Sequence, residues 1–430
     1  MFRRGGKNVK KVVSLILFLI LVTSNVSFAE DLNLTARSAI LVDADTGQVL
    51  YEKNPHLKLH PASTTKIMTG ILAIEYGKPN DLVTVDEETP YIIKGSHIAL
   101  EPGEQLLMKD LIYALLIQSA NDSAMVIANH ISGNVEEFVK MMNEKAKELG
   151  AVNTNFTNPH GLTDEKHLTT AYDLSLIARY AMKNETFRKI VANYTYTIEP
   201  TNKKDETRYL KSHNRLLYSS EKINVDGNMV PTKYEGTTGI KTGYTTEAGN
   251  CLVASAERDN KRLIAVVLKS NGNEVFSDVH KLFNYGFENF ERVKISTKNQ
   301  FIQNFQVNYG KMPVVAGVTK DDFSYLLHKD SLDKITQKIV LDEELKAPIK
   351  EGQTIGKVDY YLDGELLGSV DIIATTSVEK DNVAVVLGLI SDNWHIGIFL
   401  FIIILWLVAY IKQKRRKRRK YRGVCHKFPI

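Results

Sequence analysis

The polar and apolar positions of the chain change period several times, and each change predicts an element. From Ala36 to Asn54 two apolar runs, SAILVDA and QVLYEKN, flank Asp45-Thr46-Gly47, a turn signal that makes the pair a hairpin. Ile67, Met68, Ile71, Leu72 and Ile74 then recur at helical spacing behind Pro61 and Ser63, residue types suited to a helix start. Residues 81–101 read as polar, strand-like sequence, with breaks at Gly95 and at the following Pro102-Gly103. LLMKDLIYALLIQ (106–118) and AMVIANHI (124–131) resume the helical period on either side of Ser119-Ala120-Asn121. Two more amphipathic helices are predicted over 135–150, ending at Gly150, and over 171–184.

From about residue 190 the period shortens to that of strands. RKIVANYTYTI and a long polar connection lead to Gly239-Ile240-Lys241-Thr242-Gly243-Tyr244. CLVASAER and KRLIAVVL bracket Asp259-Asn260 as a second hairpin, and 276–290 reads as a closing amphipathic helix. The order of strands, helices, strands and helix predicts an α+β fold, an antiparallel sheet with packed helices and an inserted helical subdomain. Past Glu291 short β-type runs with Gly or Asp turns, Leu362-Asp363-Gly364 among them, predict a small all-β domain ending near Thr376.

The two ends are apolar in a different way. Arg3, Arg4, Lys7, Lys10 and Lys11 precede the apolar stretch Val12 to Val22 and the small-x-small triplet Ser27-Phe28-Ala29. This is the layout of a secretory signal cleaved after Ala29, with a retained anchor as the alternative. Trp394 to Ile411 is an 18-residue run without Asp, Glu, Lys or Arg, close to the shortest that spans a bilayer. Lys412, Lys414 through Lys420 and Arg422 follow it directly. Positive charge beside a span marks its cytoplasmic side. The expected topology is an external body, one span and a short internal tail.

This arrangement changes the meaning of the charge. Of 55 Lys and Arg, five lie in 1–29 and ten in 412–430, where there is no acid. The remaining 40 bases face all 50 acids, so the body is mildly acidic, which argues against a nucleic-acid partner. A length of 430 residues, 43% of them hydrophobic, implies two or three units with ample core. Cys251 and Cys425 are the two cysteines. With this topology they lie on opposite sides of the membrane and cannot pair.

Three short motifs carry candidate chemistry. In Ser63-x-x-Lys66 the two side chains share a helix face, so the amine sits beside the hydroxyl. A serine hydroxyl is a weak nucleophile until its proton is taken, and a lysine kept neutral by burial and a nearby cation can take it. Singly, this pattern, Ser119-x-Asn121 and Lys241-Thr242-Gly243 also read as a helix start with an exposed lysine, a turn and a solvated strand end. In this order, at a helix start, an interhelical loop and a strand, they form the set found in penicillin-binding proteins and class A β-lactamases.

The match extends to HPASTTKIMT, LIQSANDSA, NPHGL (158–162), GIKTGYT and AGNCLVASA. Over roughly 35–290 the chain resembles the low-molecular-weight penicillin-binding proteins, serine-type D-alanyl-D-alanine carboxypeptidases of β-lactamase/transpeptidase-like fold. The resemblance implies that Ser63 attacks the carbonyl of the penultimate D-alanine to form an acyl-enzyme, and that Lys66 accepts its proton. Lys241 supplies a second charge that keeps Lys66 neutral, and Ser119 passes a proton to the leaving amine. Asn121 binds the substrate amide, and Thr242 binds the terminal carboxylate. The backbone N–H groups of Ser63 and Tyr244 receive the oxyanion, and Gly239 and Gly243 allow the substrate to approach the strand edge-on.

The implied partners are peptidoglycan stem peptides ending in D-Ala-D-Ala, β-lactam antibiotics as inhibitors, and the membrane, with a role in cell-wall biogenesis and cell shape. No cofactor and no metal is implied. The expected divisions are a signal peptide (1–29), a catalytic domain (30–290), a C-terminal β domain (291–378), a juxtamembrane linker (379–393), a transmembrane helix (394–411) and a basic cytoplasmic tail (412–430). His160 in NPHGL is assigned to the loop rather than to a base or metal site, Asp173 to a helix start or packing, and Cys251 to the core.

One position departs from the resemblance. Relatives often carry an arginine just before the closing helix that helps hold the carboxylate, and that place falls on Val275. Either Lys241 and Thr242 suffice, Lys269 substitutes, or the preferred reaction shifts towards endopeptidase or transpeptidase. A β-lactamase is disfavoured by Ser-Ala-Asn in place of Ser-Asp-Asn, by the extra β domain and by the anchor. A non-catalytic wall-binding protein is disfavoured by the intact motifs.

Overall fold

Strands β1 (Ser38–Asp43) and β2 (Val49–Lys53) form the predicted hairpin, and β3 (Thr237–Thr245), β4 (Gly249–Arg258) and β5 (Lys261–Ser270) return from far along the chain to join it. In this computed structural model, which describes residues 31–341, 344–392 and 394–424, the five strands run in the order β2-β1-β5-β4-β3. All the pairings are antiparallel, and β3 is an edge. The expected signal peptide and Cys425 lie outside the described residues.

The chain divides at Glu291/Arg292 into two compact units. In the first, the helices of seven or more residues are α1 (Lys66–Tyr76), α2 (Asn121–Ser132), α3 (Val135–Glu148), α4 (Ala171–Lys183), α5 (Glu185–Val191) and α6 (Glu274–Asn289). Period-2 alternation gives the sheet two apolar faces. Ile264, Val266 and Leu268 join the core that contains α1 and α4. Leu263 and Leu41 face α6, where a Cβ on Gly286 would stand 2.6 Å from Leu263 Cδ1 and 2.8 Å from Leu41 Cδ2. A bare backbone there lets α6 lie flat on the sheet.

Helix α1 is the axis of the unit. Every residue from Lys66 to Ala73 is buried, so it is enclosed on all sides rather than amphipathic. Burying side chains such as Ile67, Met68, Ile71 and Leu72 contributes roughly 1.5–3 kcal/mol each. That stabilisation offsets the burial of a lysine at its first turn.

The second unit holds a five-stranded antiparallel sheet of Phe301–Gln306, Val314–Thr319, Glu365–Ala374, Thr354–Leu362 and Ile335–Val340, in that spatial order. Its core includes Phe305, Val315, Val358, Tyr360 and Ile372. Helices Asn382–Asp392 and α7 (Trp394–Val424) follow. Residues Trp394–Arg416 of α7 form the one helix among the described residues that is long and apolar enough to cross a membrane.

Four local expectations need correction. Residues 81–101 are not mainly strand; they hold Leu82–Thr84 and a short helix, Thr89–Ile92, in otherwise irregular chain, because Asp86 pins Thr89 N and Oγ1 at 2.7 Å as a turn would. Residues 106–118 are not one α-helix; a strand, Gln105–Leu107, gives way to α-helix Met108–Tyr113 and then to a π-turn, Ala114–Gln118. The Ser119–Asn121 motif is not wholly a loop, since Asn121 already opens α2. RKIV at 188–191 closes α5 rather than opening a strand; Asn184 Oδ1 caps that helix by accepting from Phe187 N at 3.1 Å.

Candidate active site

The nucleophile candidate sits on a strained turn. Ala62–Thr65 is a 3-10 turn that runs into α1, and Ala62 has φ of 48°, a left-handed conformation that a non-glycine residue adopts only when its surroundings impose it. Gly161, at φ of 87°, packs against the Ala62 carbonyl with no room for a Cβ. The Thr65 hydroxyl also donates to that carbonyl at 2.8 Å and lies 2.8 Å from His167 Nε2. His167 Nδ1 accepts from Thr157 N at 3.0 Å. A backbone N–H only donates, so Nδ1 is the bare nitrogen and Nε2 carries the proton given to Thr65.

Lys66 is fully buried. Its Nζ lies 2.9 Å from Ser63 Oγ, 2.6 Å from Asn121 Oδ1 and 2.7 Å from the His160 carbonyl oxygen. His160 thus contributes its backbone, while its ring Nδ1 accepts from Leu162 N at 3.2 Å. Asn121 is fixed in turn by Nδ2 donating to the Lys94 carbonyl at 2.6 Å and by its N–H bonding Ser96 O at 2.7 Å.

The π-turn explains the geometry of Ser119. One extra residue in the turn leaves Ser119 left-handed, at φ of 63°, with Ala120 N reaching back to Ala114 O at 3.1 Å. Asp122, one residue past the motif, is buried and accepts from the N–H groups of Ile98 and Leu100 at 3.0 and 3.2 Å. It ties the loop bearing Gly95 and Ser96 to the start of α2.

Edge strand β3 forms the opposite wall. Gly243 pairs with Cys251 and Lys241 with Val253. A Cβ on Gly243 would lie 2.9 Å from Ser63 N and 3.0 Å from Thr64 N, so the strand touches the turn that carries Ser63. Lys241 is buried, and its Nζ donates to the Thr242 carbonyl at 3.0 Å.

Burial dominates the electrostatics. It is the largest influence holding the Lys66 ammonium well below the ordinary lysine range; the charge of Lys241 acts in the same direction and Asp122 opposes it. Burial brings Lys241 down to about 7. His160 falls to about 3 and His213 to about 4, first by burial and then by the nearby lysine charges. His167 falls to about 4, again mainly by burial. A hydroxyl held against an amine that readily gives up its proton can be made nucleophilic near neutral pH.

A cleft of about 360 Å³ lies between these walls, lined by Ser63, Ser119, Asn121, Thr242, Gly243 and Tyr244 among others. With Lys66 touching Ser63 and Asn121 from below and Lys241 on the adjoining strand, all eight residues singled out in the sequence come together. Asp173 lies in the first turn of α4, where its N–H is capped by Thr170 Oγ1 at 3.0 Å and its carboxylate accepts from Asn153 N at 2.7 Å. Cys251 is a buried thiol pushed up to about 11 by burial. Val275 lines the cleft and Lys269 does not.

His213 and Arg215 also line the cleft, and neither was found from the sequence. Both lie in the long polar connection, which has no periodicity to mark them. His167 and Asp122 were missed as well, though an acidic residue at a helix start beside a motif is a signal that points to Asp122.

The pattern of the D-alanyl-D-alanine carboxypeptidase family matches residues 25–272, and that of the penicillin-binding protein 5 C-terminal domain matches 290–380. The chain is 37% identical to D-alanyl-D-alanine carboxypeptidase DacF of Bacillus subtilis, over 84% of this chain and 90% of the relative. It is 34% identical to D-alanyl-D-alanine carboxypeptidase DacA of Haemophilus influenzae, over 94% and 98%. Among solved structures, penicillin-binding protein 5 from Haemophilus influenzae superposes with a TM-score of 0.68 at 31% identity, covering 81% of this chain and 98% of that one. With this fold, this cleft and these relatives, the chain belongs to the D-alanyl-D-alanine carboxypeptidase family of low-molecular-weight penicillin-binding proteins.

Proposed function

We propose that the protein is a serine-type carboxypeptidase that removes the terminal D-alanine from peptidoglycan stem peptides, with Ser63 as nucleophile and Lys66 as its base. The observation that carries this reading is the contact between a buried, readily deprotonated Lys66 and Ser63 Oγ at 2.9 Å. In the first step Ser63 Oγ bonds to the carbonyl carbon of the penultimate D-alanine while its proton passes to Lys66. The C–N bond then breaks, and a proton relayed through Ser119 leaves with the D-alanine amine. A water then gives its proton to the again neutral Lys66 and attacks the acyl carbonyl; the ester C–O bond breaks, and the proton returns from Lys66 to Ser63 Oγ.

Asn121 orients both Lys66 and the substrate amide. Lys241, Thr242 and Gly243 bind the substrate backbone and carboxylate, and the N–H groups of Ser63 and Tyr244 hold the oxyanion. The close approach of Gly243 to Ser63 N supports this pairing of donors. A β-lactam enters the same first step but keeps its leaving group attached through the ring, so the acyl-enzyme persists.

The assignment extends to the whole chain: a signal peptide over 1–29, a catalytic domain over 30–290, a β domain over 291–378, a linker over 379–393, a span over 394–411 and a tail over 412–430. The body stands outside the cell membrane, and the tail lies in the cytoplasm. The apolar helix α7 and the basic run after it support this topology.

The test is D-alanine release from a pentapeptide by the full-length protein in detergent, with mass spectrometry of a benzylpenicillin adduct. The expected results are release and an adduct on Ser63, both absent in Ser63→Ala. An adduct elsewhere, or none, overturns the assignment. Protease added outside intact cells is expected to digest the body and spare a tail epitope; loss of that epitope reverses the topology.

A further inference from the structure

Among the described residues that line the cleft, Arg215 is the one with a formally charged side chain at neutral pH, and none is a carboxylate. Arg215 opens a 3-10 turn, Arg215–Leu217, in the connection before β3. Four contacts aim it. Nη1 donates to Asn273 Oδ1 at 3.1 Å, Nη2 meets Glu221 and, at 3.5 Å, Thr232 Oγ1, and the guanidinium lies over the Phe276 ring at 5.3 Å.

Asn273 precedes α6, where an asparagine ordinarily caps the helix by accepting from its first N–H groups. Here it makes no such cap bond, and its oxygen faces Arg215 instead. The guanidinium is thereby held against the first turn of α6, beside the buried Val275 that also lines the cleft.

A guanidinium has five donors in a flat fork that fits a carboxylate, and the hydrogen bonds above use three. Its side chain is 22% exposed, enough to be reached from the cleft, whereas its carboxylate partner Glu221 is 73% exposed and well hydrated. A pairing that open to water is weak, so a carboxylate brought into the cleft competes with it.

We propose that Arg215 receives the terminal carboxylate of the peptide, reaching the cleft from the connection rather than from α6, and so sets a preference for a charged carboxylate over a neutral group beside the scissile amide. This rests on the carboxypeptidase reading above. It assigns a specificity contact to a residue outside the three motifs, at the wall where Val275 offers no charge.

The experiment compares two pentapeptides that differ only at the C-terminus, one a free carboxylate and one an amide, as kcat/KM for the full-length protein in detergent. The wild type is expected to favour the acid by about 10²-fold. Arg215→Ala and Arg215→Gln are expected to lower kcat/KM for the acid by a factor on the order of 10 to 10² and leave the amide within about twofold, with Arg215→Lys intermediate. An unchanged acid-to-amide ratio in both Ala and Gln variants overturns the proposal, as does an equal fall for both peptides, which marks a merely structural role. If the wild type cleaves neither peptide, it is the carboxypeptidase reading that fails.

Discussion

Lys66 Nζ stands 2.6 Å from Asn121 Oδ1, nearer than the 2.9 Å that separates it from the Ser63 hydroxyl. The amine is therefore aimed by an uncharged oxygen, which orients its hydrogens without holding its proton. A carboxylate at the same point would hold the proton.

Asn121→Asp tests that distinction. An anion in contact with the amine favours the ammonium and opposes the effects of burial and of Lys241. The acid limb of the acylation rate is expected to move to higher pH, with the high-pH plateau reduced because the bond from Asn121 Nδ2 to Lys94 O is lost. The check is the rate of β-lactam acylation across pH; an unmoved acid limb removes Lys66 from the role of base.

Lys241 acts on the same limb through space. Lys66→Ala is expected to lower acylation by about 10²- to 10⁴-fold at every pH. Lys241→Ala removes the neighbouring charge and shifts the limb upward, but only in part, since burial is the larger influence on Lys66. Lys241 itself titrates at about 7, so its help is greatest on the acid side. Lys241→His is expected to recover activity chiefly there, where the imidazole is charged. A normal profile for Lys66→Ala contradicts the mechanism.

Gly243→Ala is expected to separate catalysis from folding. The new methyl meets backbone, Ser63 N and Thr64 N, at 2.9 and 3.0 Å, and backbone cannot swing aside. The edge strand must shift away from Ser63, and a misplacement of that order lowers rates by about 10²-fold. Thermal denaturation should change little while burst acylation falls. Near-normal acylation would mean that the strand and Ser63 tolerate a wider separation than the contact implies.

His167 predicts an acid-sensitive fold. Its ordinary pKa of 6.5 falls to about 4, chiefly by burial, and both ring nitrogens are committed in the neutral form. A group that resists protonation when folded contributes stability above its unfolded pKa and loses it as pH falls. Between pH 6.5 and pH 5 the loss from His167 is about 2 kcal/mol. His160, half-buried and also lowered, adds a smaller share to the same slope. His167→Gln should flatten the urea midpoint against pH over this window; an unaltered slope assigns the sensitivity to the other histidines.

The sequence carried the motifs and most of the helices because long periodic segments such as α3, α4 and α6 declare their buried faces. It did not carry the π-turn, since Ala114–Gln118 has the composition of ordinary helix and differs by one residue of winding, fixed by what packs around it. The strain at Ala62 was equally silent. It is imposed by Gly161 and by the hydrogen-bond chain from Thr157 through His167 and Thr65, partners roughly a hundred residues away. Arg215 escaped notice because a polar connection has no period, and its place was settled by contacts with Asn273 and Phe276 that only the folded chain brings near.

Strand β3 pairs with β4 on one side and, among the described residues, with no strand on the other. A bare edge of this kind is where sheets join neighbouring molecules and aggregate. Here residues of that strand share a cleft of about 360 Å³ with Ser119, Asn121 and Gly95, room for an extended peptide but not for a neighbouring sheet about 10 Å thick. The helical lobe is therefore also a guard: it lets a flexible peptide reach the unpaired backbone groups and keeps other copies of the protein from pairing with them.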